Sequence, residues 1–295
     1  MRVAVSGSSG LIGSALCPGL EKAGHEVVRL VRHSETGPGE AQWDIAAGTV
    51  DEAALHDVGA IVNLAGENIG QRWTASVKRR AWESRVDGTH LLAKTAAQLP
   101  SRPVLVCASA IGYYGYESDA PLDESAPRGA GFLAELVEAW EAAAEPARAA
   151  GLRTVHLRQA IVLSRHGGAL ERLLLPFKLG VGGRVGSGKQ WWSWITLDDL
   201  VSAYLFALDH ELEGPVNIAS PEAVTNEEFT KQLGEALHRP TVLPAPAFAL
   251  KAVFGEMAEE TILGGQRVVP AKLEAAGFAF AQPNLRSGLQ SALAD

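Results

Sequence analysis

The sequence predicts an α/β fold, a doubly wound parallel sheet followed by a smaller C-terminal domain. Three observations predict it. The chain opens on a strand–turn–helix–strand pattern, apolar strands then alternate with helices, and glycines and tryptophans become frequent after Ser164. We expect a first domain over residues 1–164 and a smaller region over residues 165–295, with segments near 195–220 packing back on the first domain.

Residues 1–33 carry the strongest pattern. An apolar run at 2–6 leads into a glycine turn, then into apolar residues at helical spacing, and a second strand follows at 27–31. Glycines at this spacing permit a tight turn, close approach of backbone N–H groups to a pyrophosphate, and close packing of helix on sheet. The pattern is typical of a Rossmann-type dinucleotide-binding unit. The residues predicted to bind the pyrophosphate are Gly7, Ser9, Gly10, Leu11, Ile12 and Gly13.

The end of the second strand indicates which dinucleotide binds. NAD-binding sites usually place Asp or Glu there, for the ribose 2′-hydroxyl. This chain has Arg32 instead, and a guanidinium binds a 2′-phosphate that a carboxylate would repel. The predicted cofactor is therefore NADP(H). The alternative is that Arg32 is only a solvated charge at a strand end.

Composition argues against several other classes of protein. The chain is 47% apolar and 20% charged, and it has no apolar run long enough to span a bilayer. Its net charge of −8 argues against a nucleic-acid or anionic-membrane surface. Cys17 and Cys107 fall in the first helix and in a core strand, where buried thiols are expected rather than a disulfide. We predict no metal site, and expect a cytoplasmic location because that compartment is reducing.

Further cofactor contacts are predicted where strands end. The apolar strand near 60–66 closes on small residues, so Asn63, Leu64 and Ala65 are expected to lie against the cofactor. Asp44 follows a short third strand, where it either meets the adenine amino group or caps a loop; the residues leave both open.

Two long helices are predicted, over residues 74–99 and 131–150. The first begins with a basic run, which is more typical of a solvated face than of a site. Arg85 is the exception, because it lies mid-helix where the run turns apolar.

The region after Ser164 predicts a pocket. Glycines break it into loops, and Trp191, Trp192 and Trp194 cluster there. Such a region suits a substrate pocket, and the alternative for each tryptophan is covering the core. The predicted pocket residues are Lys178, Gln190, Trp191 and Trp194. They favour a small-molecule substrate, anionic or sugar-like.

Several segments occur in a characteristic order: GSSGLIG, NLAGENI, SRVDGT, WEAAAEPARAAGLRTVHLR, GGALERLLLPFKLGVGGRVGSGKQWWSWI and GQRVVPAKLEAAGFAF. In them the chain resembles the extended and atypical short-chain dehydrogenase/reductases, specifically the NAD-dependent epimerase/dehydratase group and its "epimerase family protein" branch. The resemblance covers essentially the whole chain. It implies a nucleotide-binding Rossmann fold, oxidoreductase or isomerase chemistry, an extra C-terminal segment, and helices able to pair into a homodimer.

The same resemblance places unusual residues at the catalytic positions. The family works with a Tyr and a Lys one helical turn apart, and matching the corresponding helix puts Leu133 and Val137 there. The catalytic Ser or Thr position falls on Ala110, one residue from Ser109. Arg85 replaces an Asn, which directs it toward the nicotinamide half of the cofactor, where it is expected to bind either the cofactor's phosphate or a substrate anion.

The remaining acid–base candidates are Tyr113, Tyr114 and Ser109, of which Ser109 is also a predicted cofactor contact. Three functions stay open at this point. In the first, the chain is an NADP(H)-dependent oxidoreductase or nucleotide-sugar-type epimerase that uses other acid–base groups. In the second, it is a non-catalytic protein that senses NADPH or binds a nucleotide-linked ligand. In the third, it is an interaction protein that keeps the fold for stability. The intact glycine turn and Arg32 argue against the third.

Overall fold

The computed structural model describes residues 1–294, apart from the side chain of Glu117. Its strands are β1 Arg2–Ser6, β2 Glu26–Val31, β3 Glu40–Asp44, β4 Thr49–Val50, β5 Ala60–Asn63, β6 Val104–Ala110, β7 Glu117–Leu122, β8 Thr154–Gln159, β9 Ile161–Leu163, β10 Trp191–Trp192, β11 Trp194–Thr196, β12 Gly214–Ile218, β13 Val224–Thr225 and β14 Gly265–Val268. Its α-helices are α1 Leu11–Lys22, α2 Glu52–Leu55, α3 Ala75–Trp82, α4 Gly88–Gln98, α5 Phe132–Ala142, α6 Glu145–Ala149, α7 Gly168–Lys178, α8 Leu197–Asp209, α9 Asn226–Leu237, α10 Ala247–Phe254, α11 Ala271–Ala275 and α12 Leu285–Ala294.

The central sheet confirms the predicted doubly wound architecture. Within residues 1–294 it has eight strands in the order β12-β8-β6-β5-β1-β2-β3-β4. They pair in parallel, except that the edge strand β4 is antiparallel to β3. The strand order reverses between β1 and β5, and ligands of open α/β sheets bind at such a reversal.

Helices cover both faces of the sheet. Because side chains alternate along a strand, Val3 and Val5 pack with α1 and α8 on one face, whereas Ala4 packs with α4 and α6 on the other. The thiols of Cys17 and Cys107 are free and buried in these layers.

Both long helices of the prediction are interrupted. The first is α3 and α4, joined by a π-helical turn at Glu83–Asp87. The second ends at Ala142 and restarts as α6, which carries Pro146 in its first turn. Proline lacks an N–H and its ring crowds the carbonyl four residues back, here that of Ala142, so Pro146 favours a break between the two helices.

A second core follows the main sheet. Helices α7, α9 and α12 enclose it, and its large side chains include Trp192, Trp194 and Phe229. The segment 195–218 returns to the first layer, since α8 packs on α1 and β12 pairs with β8. The C-terminal segment also returns, since β14 pairs with β7. No helix in residues 1–294 combines the length and apolarity required to cross a bilayer.

Candidate active site

The carboxyl ends of β1, β2 and β5 border a cleft of about 720 Å³, here called the outer cleft. Its walls contain the glycine turn and the residues that follow β2 and β5. Of the predicted cofactor residues, those that line it are Gly7, Ser9, Gly10, Arg32, Leu64 and Ala65.

The glycine turn requires glycine at two points. Gly7 has φ +66°, and a Cβ on it would lie 2.9 Å from the backbone carbon of Leu64. A Cβ on Gly13 would lie 2.3 Å from the carbonyl oxygen of Gly7, so α1 packs directly against the turn. A Cβ on Gly10 would meet only that same oxygen, at 3.4 Å. The fold therefore demands Gly7 and Gly13, while Gly10 leaves open space in front of the helix.

The N-terminus of α1 presents unpaired donors to the outer cleft. The N-cap residue Gly10 offers no side chain, and the first turn has no acidic residue. Within the described chain, the N–H groups of Leu11, Ile12 and Gly13 have no hydrogen-bond acceptor. Free N–H groups at the positive end of a helix dipole bind phosphate oxygens.

Arg32 lies at the far end of the outer cleft, directly after β2. It is exposed and has neither an ion pair nor a hydrogen bond to the described residues. The neighbouring Arg29 is paired with Glu21 at 2.9 Å. Arg32 is thus the guanidinium in this cleft that remains available to a ligand.

A second cavity, of about 290 Å³, lies deeper along β6 and is here called the inner cavity. It shares Leu64 and Gly66 with the outer cleft. Ala110, Leu133 and Val137 line it, and none of these side chains can transfer a proton. The residues at the family's catalytic positions therefore surround one cavity, whose wall there is apolar.

Arg85 also lines the inner cavity. The π-helical turn at Glu83–Asp87 projects it across the ring of Trp140, whose centroid is 5.1 Å from the guanidinium carbon. Burial lowers the pKa of Arg85 to about 10, an effect that the negative charge of Glu67 partly offsets. The side chain is thus a largely desolvated cation at neutral pH.

Ser109 forms part of the inner-cavity wall, and its hydroxyl donates a hydrogen bond to Glu141 Oε1 at 2.6 Å. Both carboxylate oxygens of Glu141 also accept from Arg158, each at 2.8 Å. Burial acts to lower the pKa of Arg158, but the hydrogen bonds and charge of Glu141 outweigh it, so the pKa is raised. Arg158 therefore stays charged and is held by both carboxylate oxygens of Glu141 behind the wall.

Tyr113 and Tyr114 are corrections to the predicted catalytic set. The 3₁₀ turn Ile111–Tyr114 points Ile111 and Gly112 at a cavity, and neither tyrosine lines the inner cavity. Tyr113 stacks against Arg158, with 3.5 Å between the guanidinium carbon and the ring centroid.

The Tyr114 hydroxyl donates to Asn217 Oδ1 at 2.7 Å and accepts from Arg158 at 3.0 Å. Burial raises its pKa, which the nearby Arg158 only partly counteracts. Tyr114 thus holds the end of the sheet together.

A third cavity, of about 180 Å³, adjoins the inner cavity and is here called the tryptophan cavity. Trp191 and Trp192 line it, and Trp191 lies 4.8 Å from the guanidinium carbon of Arg267. The residues that belong to the walls of both cavities are Ile69, Ala110, Leu133, Gln159 and Ala160.

Glu260 brings a carboxylate to the tryptophan cavity and was missed by sequence reasoning. It is 5% exposed and lies in a π-helical turn of the C-terminal segment, Ala258–Leu263. Its two oxygens accept the N–H groups of Phe132 and Leu133, each at 2.9 Å. Among the described residues that line the inner and tryptophan cavities, Glu260 is the acidic one. No local sequence pattern signals this contact, because it joins segments far apart in the chain.

Of the predicted pocket residues, only Trp191 lines the tryptophan cavity, and the other three are corrections. Lys178 is exposed at the end of α7. The Gln190 amide donates to the carbonyls of Val185 and Ile262. Trp194 has no exposed surface because it packs against Gly288 of α12, so it belongs to the second core.

Asn63 and Asp44 both have hydrogen-bond partners within the protein. Asn63 is fully buried; its oxygen accepts from Ser6 at 2.6 Å, and its amide donates to Thr89 at 2.8 Å. It therefore ties β5 to β1 and α4. Asp44 Oδ1 accepts the N–H of Ala47 at 3.0 Å, so it caps the turn after β3, which was one of its two expected roles.

Metal-ligating side chains are not gathered at this site. Within the part of the chain that the structure describes, no group of three or more His, Cys, Asp and Glu side chains is arranged to hold a metal ion.

Comparison with known proteins places this geometry in a family. Residues 3–219 match the NAD dependent epimerase/dehydratase family, and residues 245–292 match a domain of unknown function, DUF1731. The epimerase family protein ML0860 of Mycobacterium leprae is 45% identical over 280 residues, covering 94% of this chain and 91% of that protein. The human epimerase family protein SDR39U1 is 39% identical over 302 residues, covering 100% of both chains.

Solved structures agree with the sequence comparison. The crystal structure of human SDR39U1 (isoform 2) with NADPH has a TM-score of 0.90 and 36% identity, covering 100% of both chains. A nucleoside-diphosphate sugar epimerase from Corynebacterium glutamicum has a TM-score of 0.83 and 34% identity, covering 99% of this chain and 58% of that one. The chain belongs to the NAD dependent epimerase/dehydratase family.

Proposed function

We propose that the chain binds NADP(H), with the adenosine half in the outer cleft and the nicotinamide in the inner cavity. The unpaired N–H groups of Leu11, Ile12 and Gly13 suit the pyrophosphate, and the space before Gly10 allows its close approach. The NADPH in the related human structure supports the same cofactor here.

Arg32 supports NADP(H) rather than NAD(H). It lies at the end of the outer cleft without a partner among the described residues, at the position where NAD-binding proteins carry a carboxylate. Glu40 also lines this cleft, but its carboxylate accepts the N–H of Gly37 at 2.9 Å. We therefore assign the 2′-phosphate to Arg32.

We further propose that the chain is an NADP(H)-dependent oxidoreductase acting on a small molecule. The observation that carries this proposal is the continuity of the inner cavity with the tryptophan cavity through five shared residues. A second ligand in the tryptophan cavity would lie beside a nicotinamide in the inner one. NADPH would supply a hydride when bound, this chain would supply the orientation, and the proton that completes the reduced product would come from solvent water.

The size and polarity of the cavities favour this reading over a nucleotide-sugar epimerase. The tryptophan cavity, at about 180 Å³, is much smaller than the outer cleft of about 720 Å³, which favours a ligand smaller than a nucleotide sugar. Epimerisation through a ketone also needs a group that removes and returns a hydroxyl proton, and Leu133, Val137 and Ala110 provide none.

A non-catalytic, NADPH-sensing protein is the second candidate. The apolar residues at these three positions favour it, since they leave the cofactor-binding residues intact. In that case a ligand in the tryptophan cavity would change the conformation of the protein without being reduced.

The two candidates are separated by following NADPH in solution. NADPH is titrated into the purified protein, and its absorbance at 340 nm is then followed with a panel of small aldehydes, ketones and enones. Binding with consumption supports the oxidoreductase, and binding without consumption of NADPH by any member supports the sensor. Failure to bind NADPH would overturn both.

A further inference from the structure

Arg85 has an unusual set of partners for a half-buried guanidinium. Its Nη1 donates to the carbonyl oxygens of Glu67 at 3.0 Å and Ala81 at 3.4 Å. Its Nε and Nη2 atoms have no hydrogen-bond acceptor in the described chain, and the carboxylate of Glu67 is paired with Arg80 at 3.2 Å. Arg85 therefore lacks a bonded carboxylate, and a desolvated charge without one is costly.

The two available nitrogens define the shape of the anion that fits. The N–H groups of Nε and Nη2 point the same way along one edge of the planar guanidinium, which matches the two oxygens of a carboxylate. A two-pronged pairing of this kind, here called a fork, occurs elsewhere in this chain. The Nε and Nη2 atoms of Arg158 each donate to a carboxylate oxygen of Glu141 at 2.8 Å. The same edge of Arg85 is left for a ligand.

The cofactor's own phosphates have other partners in the proposed binding mode. The pyrophosphate faces the N-terminus of α1 and the 2′-phosphate faces Arg32, both in the outer cleft. Arg85 lines the inner cavity instead, where the surrounding walls are mostly apolar side chains such as Ile12, Leu133 and Val137. An anion at Arg85 therefore belongs to a second ligand with an apolar body.

We propose that Arg85 binds the carboxylate of that second ligand, so that the substrate is a small carboxylic acid held with its body toward the tryptophan cavity. This inference rests on the proposed function, since it takes the nicotinamide to occupy part of the inner cavity. The basic residue of the pocket is then Arg85 and not Lys178 as predicted, because Lys178 is exposed and lies outside these cavities. The guanidinium also fixes the orientation of the substrate, because the fork accepts the carboxylate in one plane.

The test uses simple carboxylates as probes and binding as the readout. The protein is saturated with NADP⁺ and titrated by calorimetry with acetate, oxamate and benzoate, with benzamide as the neutral match of benzoate and inorganic phosphate as a tetrahedral anion. We expect at least one carboxylate to bind saturably, and benzamide and phosphate to bind at least about tenfold more weakly than benzoate.

Three variants complete the experiment. Arg85→Gln should weaken carboxylate binding at least about tenfold, and Arg85→Lys, which keeps the charge but loses the fork, should weaken it to a lesser degree. Arg79→Gln, an exposed arginine of the preceding helix α3, should leave it unchanged. NADP⁺ affinity should stay within about threefold in all three, less than the tenfold that a lost charge-assisted bond gives.

The inference is overturned if no carboxylate binds, if benzamide binds as well as benzoate, if phosphate binds more tightly than the carboxylates, or if both Arg85 variants bind carboxylates like the unmodified protein. A tenfold loss of NADP⁺ affinity in Arg85→Gln, with correct folding by circular dichroism, would assign Arg85 to the cofactor and leave the proposed function standing. Failure of the unmodified protein to bind NADP⁺ would instead overturn the proposed function itself, and this inference with it.

Discussion

Glu260 Oε2 accepts the backbone N–H of Leu133 at 2.9 Å, across 127 residues of sequence. Leu133 is the residue that the sequence resemblance predicts at the family's tyrosine position, and Glu260 belongs to the C-terminal segment matched by DUF1731. The contact caps the first turn of α5, where N–H groups have no partner within the helix. The C-terminal segment is therefore structurally coupled to the helix that lines the inner cavity.

The first prediction concerns this cap. Glu260→Gln replaces one carboxylate oxygen by an NH₂ group, which donates and cannot accept. The backbone N–H of either Phe132 or Leu133 then loses its hydrogen-bond partner. We expect the free energy of unfolding to fall by about 1–3 kcal/mol, measured by urea denaturation. Glu259→Gln, which removes only a half-exposed ion pair with Lys251, should change it by less than about 0.5 kcal/mol. Equal effects of the two substitutions would contradict the capping role.

The second prediction concerns the pair behind the inner cavity. Arg158 is 3% exposed, so Glu141→Gln leaves a buried guanidinium without a counter-charge. Unfolding free energy should fall by about 3–5 kcal/mol. The control is Glu145→Gln, which removes a carboxylate that is 65% exposed and paired with Arg148, so the change in unfolding free energy should be barely measurable. A Glu141 variant as stable as its control would mean that the pair is dispensable.

The third prediction is a pH dependence. Burial lowers the pKa of His156 from 6.5 to about 4, with Glu141 opposing and Arg148 and Arg158 reinforcing the shift. The folded protein therefore keeps this imidazole neutral between pH 6.5 and 4, while the unfolded chain takes up a proton. Stability should fall as pH drops through this window, by up to about 3 kcal/mol from this residue.

The measurement is urea denaturation between pH 4 and 7, compared with His156→Gln, which cannot be charged and should lose that part of the slope. In the folded protein, the NMR chemical shifts of the His156 ring protons should be the same at pH 5 as at pH 7. A midpoint near 6.5 in the folded protein would contradict the assignment.

The fourth prediction separates two glycines of the turn. Gly10→Ala has room in the fold, so stability should stay within about 0.5 kcal/mol while the methyl group obstructs the pyrophosphate. NADPH affinity should fall by at least about tenfold. Gly13→Ala drives its Cβ into the carbonyl of Gly7 and should lower the melting temperature as well. Calorimetric melting and NADPH titration of both variants test this, and unchanged NADPH affinity in Gly10→Ala would contradict the proposed phosphate site.

The sequence predicted what depends on local pattern. The glycine turn and Arg32 follow from residues adjacent in the chain, and the placement of Leu133 and Val137 follows from helical spacing. Their side chains line one cavity with Ala110, and their equivalence to the family's catalytic positions stays a prediction.

What the sequence did not predict depends on contacts between distant segments. A 3₁₀ turn reverses Tyr113 and Tyr114 away from the cavity. The packing of α12 buries Trp194, and the return of the C-terminal segment brings in Glu260. Periodicity does not encode these outcomes, because Tyr114 is fixed by Asn217 and Arg158 of later strands. Trp194 and Glu260 likewise depend on where remote segments pack.

The most direct test of the account is the affinity for NADPH compared with NADH, measured by fluorescence titration of the unmodified protein and of Arg32→Ala. A guanidinium bound to the 2′-phosphate contributes about 1.5–3 kcal/mol, so NADPH should bind about ten- to a hundredfold more tightly than NADH. Arg32→Ala should remove most of this preference and leave NADH affinity unchanged, whereas Arg29→Ala should keep it. Equal affinities for the two cofactors in the unmodified protein, or a preference that survives in Arg32→Ala, would contradict the assignment of the outer cleft.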